Sequence, residues 1–484
     1  MSDSSPQASP QIDSAAPSSR RRPKLLYVIF VCVLIAAGIA WLPKWITLPE
    51  FTPQLAVIAD DQSGVMAAVA ADAPDYAAAQ GVVLEYELTD METVHERALR
   101  DFATGTRRYD AICVLKSVLV PYARTNLVLR PGELREQIDD PQLLAFEQDV
   151  YPNVWEACAS YWAADGSKRI EPAGYPVAVN ALLLMYNRRM FDDPAAQAAY
   201  RERYGEALEV PRDWERFRRV AEFFTSGDSK GVCLSSDPVW RYIEWCNVAF
   251  GMGGAIYDKQ HGWQGEPDTP LLLDAPATVA ATEFYLGLKP FNHDHGRAET
   301  GVEAVKALVE TMGRQRIAMC FVRSDFLHEL GHGETRDNPR FGFAPSPGNV
   351  TTVDARVLYV SRDTPTPRAI ARYAASLMQK ETQARLMQEG LCSAVKSVYE
   401  DPQVRKIPYA RALQQSYEPP RRIVLLECTP EIEIAIEAIA ENVARAWSGE
   451  ATAGEALAAA RKRIEAERAE AWSKFEAATS GGGN

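Results

Sequence analysis

Residues 55–115 switch repeatedly between two hydrophobic periodicities, and that alternation restricts the fold more than any other feature of the chain. Leu55-Ala-Val-Ile-Ala-Asp60 has the apolar density of a buried strand, and the Ala-rich stretch 64–80 reads as a helix. Residues 82–88, VVLEYEL, alternate as a second strand. Residues 92–105 carry apolar positions at helical spacing and stop at Gly105, and 109–115, YDAICVL, form a third, buried strand. A β-α-β-α-β series predicts parallel pairing through right-handed crossovers. Ligands of such sheets gather beyond the carboxyl ends of the strands. Asp60, Asp61 and Gln62 after the first strand, and Lys116 and Ser117 after the third, are therefore candidate ligand contacts.

The remainder alternates in the same way. Residues 178–187, AVNALLLMYN, are a continuous apolar strand, and 190–226 are mostly helical, with Asp213 as an N-cap of the last helix. RIAMCFV (316–322) and ARVLYVS (355–361) are further strands, 365–379 is an amphipathic helix with Pro in its first turn, and the tail forms two more helices. At 484 residues the chain exceeds one ordinary core and suffices for two lobes.

Charge and cysteine usage narrow the class. The formal net charge of −13 argues against nucleic acid or an anionic membrane surface as the main partner. The eight cysteines form no C-x-x-C pair and stand mostly in apolar runs, so they read as small buried hydrophobes. Sequence does not identify a disulfide pair. Residues 1–24 are Ser/Pro-rich and end in Arg20, Arg21, Arg22 and Lys24, and should form a disordered cytoplasmic terminus. Residues 25–42 are uncharged, and at ~1.5 Å per residue they nearly span a bilayer core. With Trp41 and Trp45 as interfacial anchors, 25–45 read as a single-pass tether in the cytoplasmic membrane, the bulk of the chain lying periplasmic or extracellular. A signal peptide cleaved near Gly38 and Ala40 is the rival reading.

Gly174-Tyr-Pro-Val-Ala-Val-Asn-Ala-Leu-Leu-Leu-Met-Tyr-Asn-Arg-Arg-Met-Phe191 resembles the crossover strand of the maltose-binding-like extracellular solute-binding proteins of ABC importers. Pro211-Arg-Asp-Trp-Glu215, Arg316-Ile-Ala-Met319, Val357-Leu-Tyr-Val-Ser361, Ser397-Val-Tyr-Glu-Asp-Pro402 and Ser448-Gly-Glu450 with Glu455-Ala-Leu-Ala458 are similar to further blocks of that family, in order. The resemblance implies an α/β, two-lobe Venus-flytrap fold. Residues 51–178 with 358–412 would form lobe 1, and 180–355 with 414–475 lobe 2. It implies a carbohydrate or polyol ligand in the interlobe cleft, delivery to an ABC permease, a monomeric binding body, no cofactor, no metal and no catalysis. A ligand-sensing receptor of the same fold is the alternative within the binding class.

The resemblance also places Asn180 just past the hinge, Asp237 and Trp240 on a cleft loop, and Arg323 and Asp325 where the family often has Gly-Pro-Trp. A polar residue inside an apolar strand is costly unless bonded, which marks Asn180. Trp240 is the stacking candidate. Arg323, a fork donor, points to a polar or acidic ligand. The aromatic residue that the family commonly carries after its third strand is missing here.

His328-Glu-Leu-Gly-His332 has the H-E-x-x-H spacing of zinc peptidases. Positions that would continue the longer pattern hold Thr335 and Asn338, two glycines weaken a helix, and no third ligand follows at usual spacing. A zinc peptidase is the weakest of the readings.

Overall fold

One strand belongs to two ladders, and the molecule is organised around it. The computed structural model describes residues 52–61, 64–115, 126–162, 170–258, 266–293, 301–314, 316–328, 340–425 and 429–480. In chain order the strands are β1 (Gln54–Asp60), β2 (Val83–Thr89), β3 (Ala111–Leu115), β4 (Val128–Leu129), β5 (Ser160–Trp162), β6 (Ile170–Pro172), β7 (Tyr175–Asn187), β8 (Ser229–Cys233), β9 (Arg316–Arg323), β10 (Phe341–Pro345), β11 (Val350–Ser361) and β12 (Arg422–Leu425). Their main path runs β2-β1-β3-β11-β7-β9-β8, with β4 and β12 on β11 and β10 on β7, while β5 and β6 form a separate pair.

The expected parallel unit is present. β1 pairs in parallel with β2 on one side and β3 on the other. The helix Met91–Thr104 starts at Asp90, whose carboxylate accepts from Thr93 N, and ends at Gly105 in the left-handed region, φ 63°. The helix Trp214–Phe224 starts, as anticipated, at Asp213.

β7 divides at Asn180 and Ala181. Its first half, to Ala181, pairs antiparallel with β11. From Leu182 onward it pairs with β9, and from Leu183 with β10 as well. Nearly all of β7 is buried, so both faces and both edges are covered. The apolar residues of its first half join a core with β1, β3, the second half of β11 and the helix Pro367–Leu377. Leu182 and Leu184 join a second core with the helices Trp214–Phe224, Pro238–Gly251 and Ile432–Ser448. The separation is not strict: Leu183, Met185, Ile317, Cys320 and Val322 side with the first core. A pleated strand presents alternate side chains to opposite faces, which accounts for the split between neighbours.

Close backbone packing fixes several glycines. A Cβ on Gly231 of β8 would stand 1.9 Å from Ala221 O on the helix beneath, so only glycine lets that helix lie so near the strand. The turn Gly251–Gly254 serves packing as well: a Cβ on Gly251 would stand 2.3 Å from Trp214 Nε1. Trp245 is a core residue, fully buried, its Nε1 donating to Thr282 Oγ1 at 2.8 Å.

The cysteines behave as read. Cys113, Cys158, Cys233, Cys246, Cys320 and Cys392 are buried and unbridged, while Cys32 and Cys428 lie outside the described residues. The tether at 25–45 also lies outside them; among the described residues no helix is long and apolar enough to cross a membrane.

Candidate functional site

The site grows from the division of β7. Asn180 faces Asp354 of β11 in the antiparallel register, and its Oδ1 accepts from Asp354 N at 3.1 Å. Its Nδ2 donates to Asp325 Oδ2 at 3.2 Å. Asp325 belongs to a single 3-10 turn, Ser324–Phe326, that leaves the end of β9. Ser324 anchors that turn: its Oγ accepts from Ala181 N at 3.0 Å and lies 3.1 Å from Cys392 Sγ. Asn180 thus ties the middle of β7 to β11 and to the turn after β9, which satisfies the polar atoms of a residue only 3% exposed.

Arg323 and Asp325 form a forked pair. Arg323 Nε donates to Asp325 Oδ1 at 2.9 Å and Nη2 to Oδ2 at 2.5 Å. Burial alone would raise the Asp325 carboxyl, but the Arg323 guanidinium overrides it and holds the acid below the ordinary carboxylate range. The guanidinium carbon lies 4.8 Å from the Phe326 ring centroid and 5.8 Å from that of Trp240, and the two rings meet edge to face at 5.6 Å.

A second pair lies deeper. Asp60, the last residue of β1, is fully buried and accepts from Arg356 Nη2 at 3.1 Å. Arg356 Nη1 stands 3.7 Å from Asp325 Oδ2, so Arg356 links the end of β1 to the turn after β9. Asp60 Oδ1 and Arg356 Nε are buried without a hydrogen-bond partner among the described residues. Asp354 is half-buried, and its carboxylate accepts from Ala355 N at 2.8 Å. Burial raises its pKa to about 6 against the attraction of Arg323 and Arg356.

The result is a contiguous cluster of Asp60, Asn180, Asp325, Asp354, Arg323 and Arg356 with Trp240 and Phe326 against its rim. It lies where β7 passes from one sheet to the other, at the carboxyl ends of β1 and β9. Strand ends that converge at such a switch point leave a crevice that suits a ligand.

No protein-family model and no curated protein sequence matches the chain. Its architecture does match solved structures. The sugar-binding protein MalE from the phytopathogen Xanthomonas citri superposes with a TM-score of 0.67 at 15% identity, over 87% of this chain and 99% of that one. An ABC transporter solute-binding protein from Agrobacterium radiobacter K84 in complex with ribitol gives 0.61 at 19% identity, over 86% and 98%. The cyclic α-maltosyl-1,6-maltose-binding protein from Arthrobacter globiformis gives 0.63 at 16% identity, over 87% and 100%. The fold is that of the ABC transporter solute-binding proteins.

Within this solute-binding-protein fold, five residues anticipated from sequence come together: Asp60, Asn180, Trp240, Arg323 and Asp325. Arg323 differs from expectation in its engagement, since Asp325 takes its Nε and Nη2 rather than leaving the fork open to an anion. Two others serve as helix caps. Asp61 accepts from Met66 N and Ala67 N at 3.0 and 3.1 Å, and Asp237 accepts from Trp240 N at 2.9 Å. Gln62, Lys116 and Ser117 lie outside the described residues. Asp354 and Arg356 were missed, although two charges in the apolar run Val350–Ser361 are a signal that buried partners exist.

The H-E-x-x-H segment is only partly described. His328 lies just past the turn after β9, its Nδ1 3.2 Å from Asp325 O, and Glu329 to His332 lie outside the described residues. Among the described residues no group of His, Cys, Asp and Glu is arranged to hold a metal.

Proposed function

We propose that the chain is an extracytoplasmic solute-binding protein that captures a carbohydrate or polyol between its two lobes and hands it to an ABC permease. It performs no chemistry. Residues 51–178 with 358–412 form one lobe and 180–355 with 414–475 the other, and 25–45 hold the body to the membrane. The observation that carries the reading is the meeting of Asp60, Asn180, Arg323 and Asp325, beside the half-buried indole of Trp240, at the point where β7 changes sheets. Planar hydrogen-bonding groups next to an aromatic face suit the hydroxyls and C–H faces of a sugar or polyol. Relatives in fold support the class: their printed ligands include ribitol, D-mannitol and maltose.

Binding would close the lobes, and the permease would recognise the closed form. The test is a thermal-shift screen of the purified full-length chain against a panel of sugars and polyols. A cognate ligand at 100 times its Kd stabilises by about 2.7 kcal/mol and raises the midpoint accordingly. If peptides or inorganic anions shift the midpoint and no carbohydrate does, the reading fails.

A further inference from the structure

Among the described residues the buried cluster holds three carboxylates, Asp60, Asp325 and Asp354, against two guanidiniums, Arg323 and Arg356. Both guanidiniums carry carboxylates, although the buried Arg356 Nε has no hydrogen-bond partner among the described residues. Arg323 is forked onto Asp325, and Arg356 spans Asp60 and Asp325. An incoming anion at Arg323 would have to displace a carboxylate from its fork and then sit among three acids.

A cation feels the repulsion of the same two guanidiniums but finds a carboxylate that neither of them pairs with. Asp354 is half-buried, and among the described residues the one hydrogen bond its carboxylate accepts comes from its own neighbour Ala355. Arg323 and Arg356 attract its charge and Asp325 repels it, and burial outweighs the attraction. Among the described residues neither guanidinium forms an ion pair with it. Asp60 Oδ1 and Arg356 Nε are both buried without a partner among the described residues, so that pair adds no bias and the surplus carboxylate is Asp354. Taking a carboxylate out of water without a counter-charge is costly, and a cationic donor offsets that cost. Trp240, also half-buried, stands beside the same cluster with Arg323 and Phe326 against it, and its indole suits the C–H face of a sugar.

We propose that the ligand of this site carries a protonated amine on a sugar or polyol skeleton, with Asp354 as its counter-ion and Trp240 against its carbon face. This deepens the carbohydrate reading above and rests on it. An amine at Asp354 would bring the local charge to balance, whereas a neutral sugar would leave the surplus carboxylate and an acidic sugar would add to it.

The test uses matched sets that share a skeleton and differ in charge: D-glucose, D-glucosamine and D-glucuronate; D-galactose, D-galactosamine and D-galacturonate; N,N′-diacetylchitobiose and its deacetylated form. Each is titrated calorimetrically into the purified full-length chain at pH 7.0. The amine member of at least one set should bind at least tenfold more tightly than its neutral counterpart, and Asp354→Asn should abolish that preference while Asp354→Glu keeps part of it. Should Asp354→Asn fail to fold, the discrimination by the wild-type chain still decides. Equal or tighter binding of a neutral or acidic member overturns this proposal and leaves the carbohydrate reading standing. Binding by none of these compounds overturns this proposal, and if no carbohydrate shifts the midpoint in the wider screen either, the carbohydrate reading falls with it.

Discussion

Arg356→Met is the substitution whose consequence follows most directly from the geometry. Methionine keeps the length and apolar stem of the side chain and removes the charge. Asp60 is then left fully buried with its counter-ion gone, because its one ion pair among the described residues is with Arg356 at 3.1 Å. At an effective dielectric of about 20 that contact alone is worth ~5 kcal/mol of Coulomb energy, before the cost of desolvation is subtracted. Asp325 loses less, since Arg323 still holds it through two hydrogen bonds. Breaking a buried pair from one side costs about 3–5 kcal/mol, a large share of a typical 5–15 kcal/mol stability. Equilibrium urea unfolding of wild type, Arg356→Met, Asp60→Asn and the double variant measures the effect. Arg356→Met should fall in that range. The double variant should be more stable than the sum of the singles by at least ~1 kcal/mol, because it no longer strands a charge. A loss below ~1 kcal/mol for Arg356→Met, or strict additivity, would refute the reasoning.

Other expectations follow from single side chains. Glu244, buried among Ser235 N, Tyr285 and Arg241, has its carboxyl pushed up to about 8, chiefly by burial, from an ordinary 4.5. The folded form therefore holds a proton that the unfolded chain releases between those values, and this contribution to stability, complete below pH 4.5, is lost as pH rises towards 8. The slope is at most ~1.4 kcal/mol per pH unit, and Glu244→Gln should flatten the fall of the thermal midpoint across that window. Gly231→Ala should cost about 1–3 kcal/mol or more in urea unfolding, since its new methyl would meet the Ala221 carbonyl. Asp213→Ala removes the carboxylate that accepts from Arg216 N at 2.7 Å and should cost about 1 kcal/mol by the same measurement. Raising the pH from 5 to 7 should tighten the binding of any aminated ligand as Asp354 ionises near pH 6, with no comparable gain for Asp354→Asn in calorimetry.

The parallel unit was legible because its signals are local. The apolar runs 55–60 and 109–115 and the helical spacing of 92–105 each specify an element without reference to distant residues, and their observed bounds differ by one or two positions. Asn180 was legible for a related reason: an amide in an apolar strand has to be bonded, whatever bonds it. What bonds it was not legible, because its partners lie 145 and 174 residues away. The same holds for Asp60 and Arg356, which are 296 positions apart. Asp61 and Asp237 show the converse ambiguity. An aspartate in front of a helix carries the same signature whether it caps that helix or faces a ligand, and both of these cap. The engagement of Arg323 was misjudged because a fork donor looks equally available to a ligand and to a carboxylate two residues away.

The passage of β7 through two ladders has a consequence for how this chain can vary. One residue inserted between Ala181 and Leu182 would leave the register of Tyr175–Ala181 against β11 untouched. It would turn every side chain from Leu182 to Asn187 onto the opposite face, exchanging the residues that fill one core with those that fill the other. An insertion of two would restore the faces but slide five ladder partners of β9 past their mates. A length change in this strand is therefore tolerated only where a bulge absorbs it, as the register irregularity opposite Arg356 and Val357 of the facing strand does, while the connections around it carry no such constraint.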